Sequence, residues 1–331
     1  MRLCTFHVGR NRLVFGIIGL ALLASLTMMN LSVHHEPVTQ RRNMRAIRQN
    51  FMFGRLGNKL FAIASTIGIA RTHGLEPCIA PMYSKDKTLT IFKNIPFCAG
   101  DEEKLTVWNI PMFSGSITPE DASDSTTDVE VKGYGCSYTF FEDVEEEILS
   151  AFEFTDDLKK VSKEFMDNHK DSIKEDSIKV GIHFRRTDMI SFGGLYGPFP
   201  GTDFYKHSMK IMREKYGPSV IFLVASDDVE WCKAQDFLQV EDVLFIDQST
   251  VEDFAILKEC DHMIIGHGTY GWWAAYLGAS QKGGDVMYFQ EDIEKPVKNK
   301  YFEADKFYLP KWTAVSNAGE TEADTVQEVK V

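Results

Sequence analysis

The chain has 331 residues, of which 44% are hydrophobic, and a formal net charge of −12 at pH 7. Chains usually divide into domains of roughly 100 to 200 residues, so this length predicts two packed domains and excludes a single small module. No basic stripe accompanies the acidic balance, which argues against nucleic acid as a partner and against binding to an anionic membrane face.

The first predicted element is a membrane anchor. Residues 13–33 form an uncharged apolar run, and a helix of about this length crosses ~30 Å of hydrocarbon. Arg2, Arg10 and Arg12 precede the run, which favours a cytoplasmic N-terminus. A cleaved signal peptide is the competing interpretation, but a small-residue cleavage site is hard to place beyond the run. We expect a cytoplasmic tail at 1–12, an uncleaved signal anchor at 13–33, a stem at 34–49 and a luminal remainder.

Cysteine usage fits a luminal protein without a zinc site. Of the six cysteines, Cys4 would be cytosolic and five would face an oxidising lumen, where disulfides persist. Because five is odd, at least one of them stays free or pairs with another chain. No CxxC pair is present, which argues against zinc. Asn30 begins an Asn-x-Ser sequon at the edge of the membrane span, and we expect it to be unglycosylated.

The first predicted domain, 50–175, begins with a strand, a glycine loop and a helix. A brief apolar segment from Phe51 enters GRLGN at 54–58, and helical spacing continues until Gly74. Arg55 and Asn58 open the helix, whose free N–H groups attract anions. The alternative is that Asn58 only caps the helix. Three further segments complete the domain: a surface loop at 114–129, a helical region at 137–169 and a linker at 169–177.

The second predicted domain, 176–315, has a regular alternating pattern, and an acidic tail at 316–331 follows it. Amphipathic helices fit between successive apolar strands, which predicts a parallel, doubly wound sheet. The strand candidates are 178–184, 220–226, 242–247, 262–266 and 285–290. Ligands of such sheets bind beyond the carboxyl ends of the strands. Three polar segments follow strand ends: His183 to Asp188, Ser226 to Asp228, and Gly266 to Thr269.

The segment VGIHFRRTD, residues 180–188, predicts a pyrophosphate cradle. A guanidinium is a planar fork that matches phosphate oxygens, and two of them follow the strand. The chain has no Asp-x-Asp triplet to hold a divalent cation, so we expect arginine to replace the metal. The alternative is that one arginine is solvated and the other is a structural partner of Asp188.

Two further residues of this segment have open roles. His183 either donates to the donor substrate or is a buried histidine satisfied by the backbone. Asp188 is either a loop organiser or the general base, and its nearness to two arginines makes it a weak base, which favours the organising role.

The chain resembles the eukaryotic α-1,2-fucosyltransferases from about Phe53 to Trp312. The shared segments are GRLGN, HFRRTD, FLVASDDVEWC, EDFAILKEC, GTYGWWAAYL, GGDVMYF and FYLPKWT. HxRRxD also occurs in α-1,6- and protein O-fucosyltransferases, whereas SDDVEWC and GTYGWWAAYL are more specific to the α-1,2 branch. The resemblance implies a Golgi type II membrane enzyme that transfers L-fucose from GDP-fucose to the 2-hydroxyl of a β-galactoside, with inversion and without a metal or other cofactor. The implied fold is α/β and GT-B-like, with two Rossmann-like domains facing across a cleft.

The resemblance also implies roles for individual residues. Arg185 matches the first arginine of the family motif and is the predicted clamp on the β-phosphate, whereas Arg186 is predicted to orient the loop by pairing with a carboxylate. The resemblance places Arg55 and Asn58 at the junction of donor and acceptor. An aspartate in the position of Asp253 accepts from guanine, although a helix-start carboxylate is the plain alternative. Thr269 and Tyr270 follow a strand and precede a helix, where hydroxyl and N–H groups can reach a phosphate.

Other residues have a plainer interpretation. Asp227 and Asp228 are capping residues by default, with a donor contact as the alternative. Trp272 and Trp273 are expected in the core. Some relatives carry a glutamate in the helix after GRLGN, where this chain has apolar residues at 61–64, so the general base stays open.

Three alternative functions fit parts of the sequence. An inactive glycan-binding relative has no need of a pyrophosphate clamp. A dinucleotide oxidoreductase requires a GxGxxG fingerprint, which follows the first strand of neither half. A fucosyltransferase with a protein or core-glycan acceptor keeps the same chemistry, and only the SDDVEWC and GTYGWWAAYL segments favour the galactoside.

Overall fold

The computed structural model describes residues 45–100, 105–111, 128–188, 199–290 and 302–317. The predicted cytoplasmic tail, the anchor at 13–33, Asn30 and the acidic tail from residue 318 onward lie outside these ranges. Within them, no helix combines the length and apolarity that a membrane crossing requires.

Strands and helices alternate from residue 178 onward, whereas the N-terminal half has consecutive strands followed by consecutive helices. The strands are β1 (Ala46–Gln49), β2 (Glu76–Ile79), β3 (Leu105–Asn109), β4 (Asp128–Lys132), β5 (Ile178–Phe184), β6 (Val220–Ser226), β7 (Val243–Phe245), β8 (His262–Ile265), β9 (Val286–Phe289) and β10 (Thr313–Val315). The helices are α1 (Leu56–Thr72), α2 (Glu145–Ala151), α3 (Asp156–Asn168), α4 (Thr202–Tyr216), α5 (Val229–Lys233), α6 (Thr250–Lys258), α7 (Thr269–Leu277) and α8 (Ala304–Phe307).

The strands form two parallel sheets, as the sequence predicts. The N-terminal sheet has the order β2-β1-β4-β3, and the C-terminal sheet has the order β10-β9-β8-β5-β6-β7. β5 and β6 are apolar and buried along most of their length, which is typical of strands covered on both faces. In the C-terminal sheet the chain runs from β5 outward to β7 and then returns to β8 beside β5. The carboxyl ends of β5 and β8 are therefore the topological switch point, where doubly wound sheets bind ligands.

One hydrophobic cluster extends across both sheets. The described residues from 45 to 317 form a single compact unit, and this buried cluster contains residues of both sheets and of the helices between them. Phe61 of α1 contacts Trp272 and Trp273 of α7, with ring centroids 4.6 and 5.0 Å away. Both tryptophans are fully buried, which confirms their predicted place in the core. This cluster crosses the predicted boundary near residue 175, whereas a second cluster consists of residues of the C-terminal half alone.

The last described segment ties the C-terminal sequence back to the N-terminal half. The Ser137 hydroxyl donates to the Lys306 carbonyl at 2.6 Å, and the Trp272 indole donates to the Phe307 carbonyl at 2.8 Å. β10, which the sequence analysis missed, then pairs with β9 at the edge of the sheet. At three residues it is too short for a recognisable apolar pattern.

Three predicted boundaries need correction. The stem ends before residue 46, because β1 at Ala46–Gln49 lies inside the N-terminal sheet between β2 and β4. The strand expected from Phe51 is a loop between β1 and α1. The helical region at 137–169 contains α2 and α3 as separate helices. The break occurs because Phe154 forms an antiparallel bridge with Phe92.

The structure also assigns the cysteines of the described residues. Cys78, in β2, is disulfide-bonded to Cys98, twenty residues further on. Cys136, Cys232 and Cys260 are free and buried. This agrees with the expectation that an odd number of luminal cysteines leaves at least one unpaired.

Candidate active site

Arg185 lies at the switch point, between the loops that follow β5 and β8. Its guanidinium packs against Gly268, where an added Cβ would lie 2.4 Å from Nη1 and where φ is +106°. Only glycine combines this conformation with so close an approach. On its other edge Arg185 donates from Nε and Nη2 to the two oxygens of Asp188, at 3.1 and 2.7 Å. The fork is therefore fixed in its plane before any ligand binds.

Asp188 joins arginines from both halves of the sequence. Besides its bidentate contact with Arg185, it lies 3.4 Å from Nη2 of Arg55, which precedes α1. The Arg55 side chain is 68% exposed, and it also lies 3.8 Å from Asp227. Two cations thus converge on one carboxylate, which favours the organising role predicted for Asp188 over that of a base.

Asp227 shapes the loop that carries the two arginines. Its carboxylate accepts hydrogen bonds from the backbone N–H of Arg186 at 2.7 Å and from the hydroxyl of Thr187 at 2.6 Å. These bonds tie the loop after β5 to the end of the neighbouring strand β6. The geometry favours a structural role for Asp227 over the donor contact that the sequence analysis kept as its alternative.

Arg186 is held by one carboxylate and one aromatic ring. Its Nε lies 3.4 Å from Asp228, as expected for an arginine that orients the loop. Its guanidinium carbon lies 3.4 Å from the centre of the Trp231 ring, a stacking contact that the sequence analysis did not anticipate. The motif SDDVEWC could have predicted this contact, because a tryptophan three residues after an aspartate lies on the same face of a short helix.

The N-termini of α1 and α7 meet beside Arg185. The Thr269 hydroxyl donates to the Asn58 side-chain oxygen at 2.7 Å, across 211 residues of sequence. Gly57 makes the approach possible, because a Cβ there would lie 2.5 Å from the backbone carbon of Thr269. Two positive helix ends therefore face the same side of the switch point, which suits an anionic ligand. This hydrogen bond engages the Thr269 hydroxyl that was predicted to reach a phosphate.

Tyr270, the second residue of α7, packs its ring against that of His183 at a tilt of 37°. Their ring centroids are 4.8 Å apart, and the Tyr270 hydroxyl donates to the carbonyl of Thr250 at 2.6 Å rather than pointing to a phosphate. His183 is buried, and its Nδ1 has no hydrogen-bond partner in the part of the chain that the structure describes. Burial lowers the pKa of His183 to about 4, so the imidazole is neutral at physiological pH. A neutral imidazole offers one donor and one acceptor but no fixed charge.

Asp253 lies in the first turn of α6. The hydrogen bond from the Tyr270 hydroxyl to the carbonyl of Thr250, the first residue of α6, links this helix to Tyr270 and His183. One carboxylate oxygen accepts from the backbone N–H of Gln248 at 2.9 Å. Burial is the main cause that raises the pKa of Asp253 to about 6. A carboxyl group that stays buried although burial disfavours its ionised form is typical of a functional site.

The structure thus brings most predicted site residues together. Direct contacts join seven of them: Arg185, Arg186, Asp188, Asp227, Arg55, Asn58 and Thr269. An adjoining group contains His183, Tyr270 and Asp253. The site also contains three residues that were not among the predicted site residues: Gly57, Thr187 and Trp231. Within the described ranges, no three His, Cys, Asp or Glu side chains gather closely enough to hold a metal ion.

Fold and site together define a protein with a doubly wound sheet and an arginine cluster suited to a phosphate-bearing ligand. Residues 16–316 match the model of glycosyl transferase family 11, and the chain belongs to that family. It is therefore a glycosyltransferase.

Characterised relatives are galactoside α-(1,2)-fucosyltransferases. The chain is 26% identical over 275 residues to galactoside alpha-(1,2)-fucosyltransferase 1 of Leontopithecus chrysomelas, covering 80% of this chain and 73% of the relative. It is 28% identical over 270 residues to galactoside alpha-(1,2)-fucosyltransferase 2 of Rattus norvegicus, covering 79% and 75%. These matches confirm the resemblance found in the motifs.

Solved fucosyltransferase structures match more distantly. The α-1,6-fucosyltransferase NodZ of Bradyrhizobium, soaked with GDP-fucose, gives a TM-score of 0.46 at 14% identity, covering 71% of this chain and 92% of its own. An Arabidopsis thaliana FUT1 mutant in complex with GDP gives 0.48 at 11% identity, covering 76% and 72%.

The raised pKa of Asp253 makes guanine recognition testable by pH. Guanine offers two N–H donors, so it should bind the ionised carboxylate, which dominates above a pH of about 6. GDP-fucose affinity should therefore fall as the pH is lowered through about 6, whereas Asp253→Asn should bind more weakly, by about 1.5 to 3 kcal/mol at neutral pH, with a flatter profile. Calorimetry of both proteins across this window provides the measurement, with Asp247→Asn as a nearby exposed control.

The same shift predicts the effect on stability. A folded pKa raised above the unfolded value favours folding below the unfolded pKa, and that contribution is lost as the pH rises through about 6. Asp253→Asn should therefore melt at or above the wild-type temperature at neutral pH. A large loss of stability with unchanged GDP-fucose affinity would contradict the assignment.

Proposed function

We propose that the enzyme transfers L-fucose from GDP-fucose to the 2-hydroxyl of a β-galactoside, with inversion at the anomeric carbon and without a metal ion. The observation that carries the proposal is the preorganised fork of Arg185, fixed by Asp188 and Gly268 at the switch point of the C-terminal sheet. The names of the relatives support the sugar and the linkage. In this proposal the arrangement is GT-B-like, with the donor on the C-terminal sheet and the acceptor reached from the N-terminal one.

The leaving group sets the main chemical demand. Breaking the fucosyl bond develops negative charge on the β-phosphate of GDP, and fixed donors aimed at that charge lower the barrier. Two of the five guanidinium N–H groups of Arg185 go to Asp188. In this proposal the Nη1 edge, which lies beside Gly268, donates to the β-phosphate. The exposed Arg55 adds a second cation, and the free N–H groups at the starts of α1 and α7 add partial positive charge. These groups together supply what a divalent cation supplies in other transferases.

The activity and its metal independence have one joint test. The full-length protein should transfer fucose from GDP-fucose to a panel of β-galactosides in the presence of EDTA, and linkage analysis should place the new bond at the 2-hydroxyl with α configuration. Complete loss of activity in EDTA, restored by a divalent cation, would reject the metal-independent mechanism. Transfer only to a peptide or to a core glycan would change the acceptor and keep the chemistry.

We further propose that the enzyme is a single-pass type II protein of the Golgi membrane, anchored by residues 13–33, with its catalytic region in the lumen. The apolar run and its preceding arginines support this topology. Protease treatment of intact microsomes should leave the chain beyond residue 34 protected and remove an epitope placed before residue 13. A mature N-terminus mapped beyond about residue 25 would show a cleaved signal peptide instead.

A further inference from the structure

Exposed apolar side chains concentrate at one edge of the N-terminal sheet. Among the described residues, five large hydrophobic side chains are exposed, and three of them are Phe51 at 52%, Phe53 at 58% and Met82 at 72%. The other two, Val107 on β3 and Val240 before β7, lie elsewhere in the fold. Single exposed apolar residues are ordinary, whereas a group at one place marks a binding surface.

Local structure holds this group together. Phe51 and Phe53 follow β1, and Met82 follows β2, so all three lie at the carboxyl edge of two paired parallel strands. The two phenylalanine rings meet edge to face with centroids 3.9 Å apart. The backbone N–H of Met52 donates to the hydroxyl of Tyr83 at 2.7 Å, which ties the two loops to each other. We call Phe51 and Phe53 the aromatic platform.

The platform is continuous with the active site. Gly54, the next residue after Phe53, packs against Asn58, where an added Cβ would lie 2.6 Å from the side-chain nitrogen. Asn58 in turn accepts the hydrogen bond from Thr269, and Arg55 pairs with Asp188. The platform is therefore separated by one residue from the place where α1 meets the donor-side loops.

A ligand of this surface must offer an apolar face to an aromatic ring beside a polar, cationic site. A pyranose ring does so, because its C–H groups lie on one face and its hydroxyls at the rim, where polar groups of the site can bind them. A lipid surface fits less well, because the net charge of −12 opposes approach to anionic headgroups. The platform also stands directly beside Arg55, which an acceptor must approach.

We propose that Phe51 and Phe53 form the acceptor subsite, where a ring of the β-galactoside stacks while its 2-hydroxyl reaches the fucose. This inference rests on the proposed function and adds the residues that select the acceptor. We expect the platform to act on acceptor binding alone, since two phenyl rings offer neither a hydrogen-bond donor nor a charge to the diphosphate.

The test compares acceptor and donor parameters in the full-length protein. Phe53→Ala and Phe51→Ala should each raise the KM for a β-galactoside disaccharide by about three- to tenfold, the effect of losing one aromatic contact, and the double variant should raise it further. The Kd of GDP should stay within twofold of wild type. Phe53→Tyr should retain the wild-type KM, and Val240→Ala should leave all parameters unchanged as the exposed apolar control.

Direct binding separates failure of this inference from failure of the proposed function. Saturation-transfer NMR of the disaccharide with GDP present should show wild-type binding that Phe51→Ala/Phe53→Ala loses. If the wild type transfers fucose or binds the disaccharide, and the double variant has the same acceptor KM and the same binding, the platform would be overturned and the proposed function would stand. Absence of galactoside binding and transfer in the wild type would overturn both. Loss of vesicle binding or of a dimer in the double variant, with acceptor KM unchanged, would assign the platform to phosphatidylcholine or to a second copy.

Discussion

Replacement of Arg185 by lysine should leave the fold intact and remove most of the turnover. Lysine keeps the positive charge but loses the planar fork that donates to both oxygens of Asp188 and lies against Gly268. A donor that is no longer fixed stabilises the departing phosphate less, and losses of this kind cost about 100- to 1,000-fold in kcat. The measurement is kcat, GDP affinity and melting temperature for the purified variant.

Arg186 provides the matched control in the adjacent position. Arg186→Lys should keep a charge near Asp228 and preserve more activity than Arg185→Lys, although it loses the stacking on Trp231. Arg186→Ala should lower the melting temperature as well as the rate, because Asp228 loses its cationic partner. An Arg185→Lys enzyme with near wild-type kcat would remove Arg185 from the catalytic role.

The second large effect is expected at Gly57, where α1 meets α7. A Cβ at this position would lie 2.5 to 2.7 Å from backbone atoms of Thr269, which cannot move aside as a flexible side chain can. Gly57→Ala should therefore separate the two helix N-termini and break the Asn58–Thr269 hydrogen bond. We expect a loss of about 1 to 3 kcal/mol of stability from the overpacking and a loss of about 100-fold in kcat from the misplaced site.

Gly68, on the same helix, supplies the steric control. An added Cβ there would also clash with backbone, that of Phe140, but away from the site. Gly68→Ala should lower the melting temperature at least as much as Gly57→Ala, with a smaller loss of kcat per folded molecule. Thr269→Val, which removes only the hydroxyl, should lower kcat with little change in stability. If kcat followed the melting temperature equally in all variants, the junction would be only structural.

The sequence determined the elements whose patterns are local. The strands β5 and β6 were predicted residue for residue, since strands covered on both faces are continuous apolar runs. The buried place of Trp272 and Trp273 and the start of α1 near Asn58 also followed from local pattern. The family was recognisable for the same reason, because its motifs are short and continuous.

Only the tertiary structure decided which partner each polar group has. Asn58 and Thr269 are 211 residues apart, and no local pattern joins them. The capping of the arginine loop by Asp227 and the engagement of the Tyr270 hydroxyl depend on the strand order at the switch point, whereas Arg185 and Asp188 are a local pair three residues apart. β1 escaped prediction because it is a short strand containing Arg48 and Gln49, and it is buried only because neighbouring strands cover it. Hydrophobic periodicity records which face of an element is covered, whereas hydrogen-bond partners and contacts between helix ends are properties of the assembled sheets.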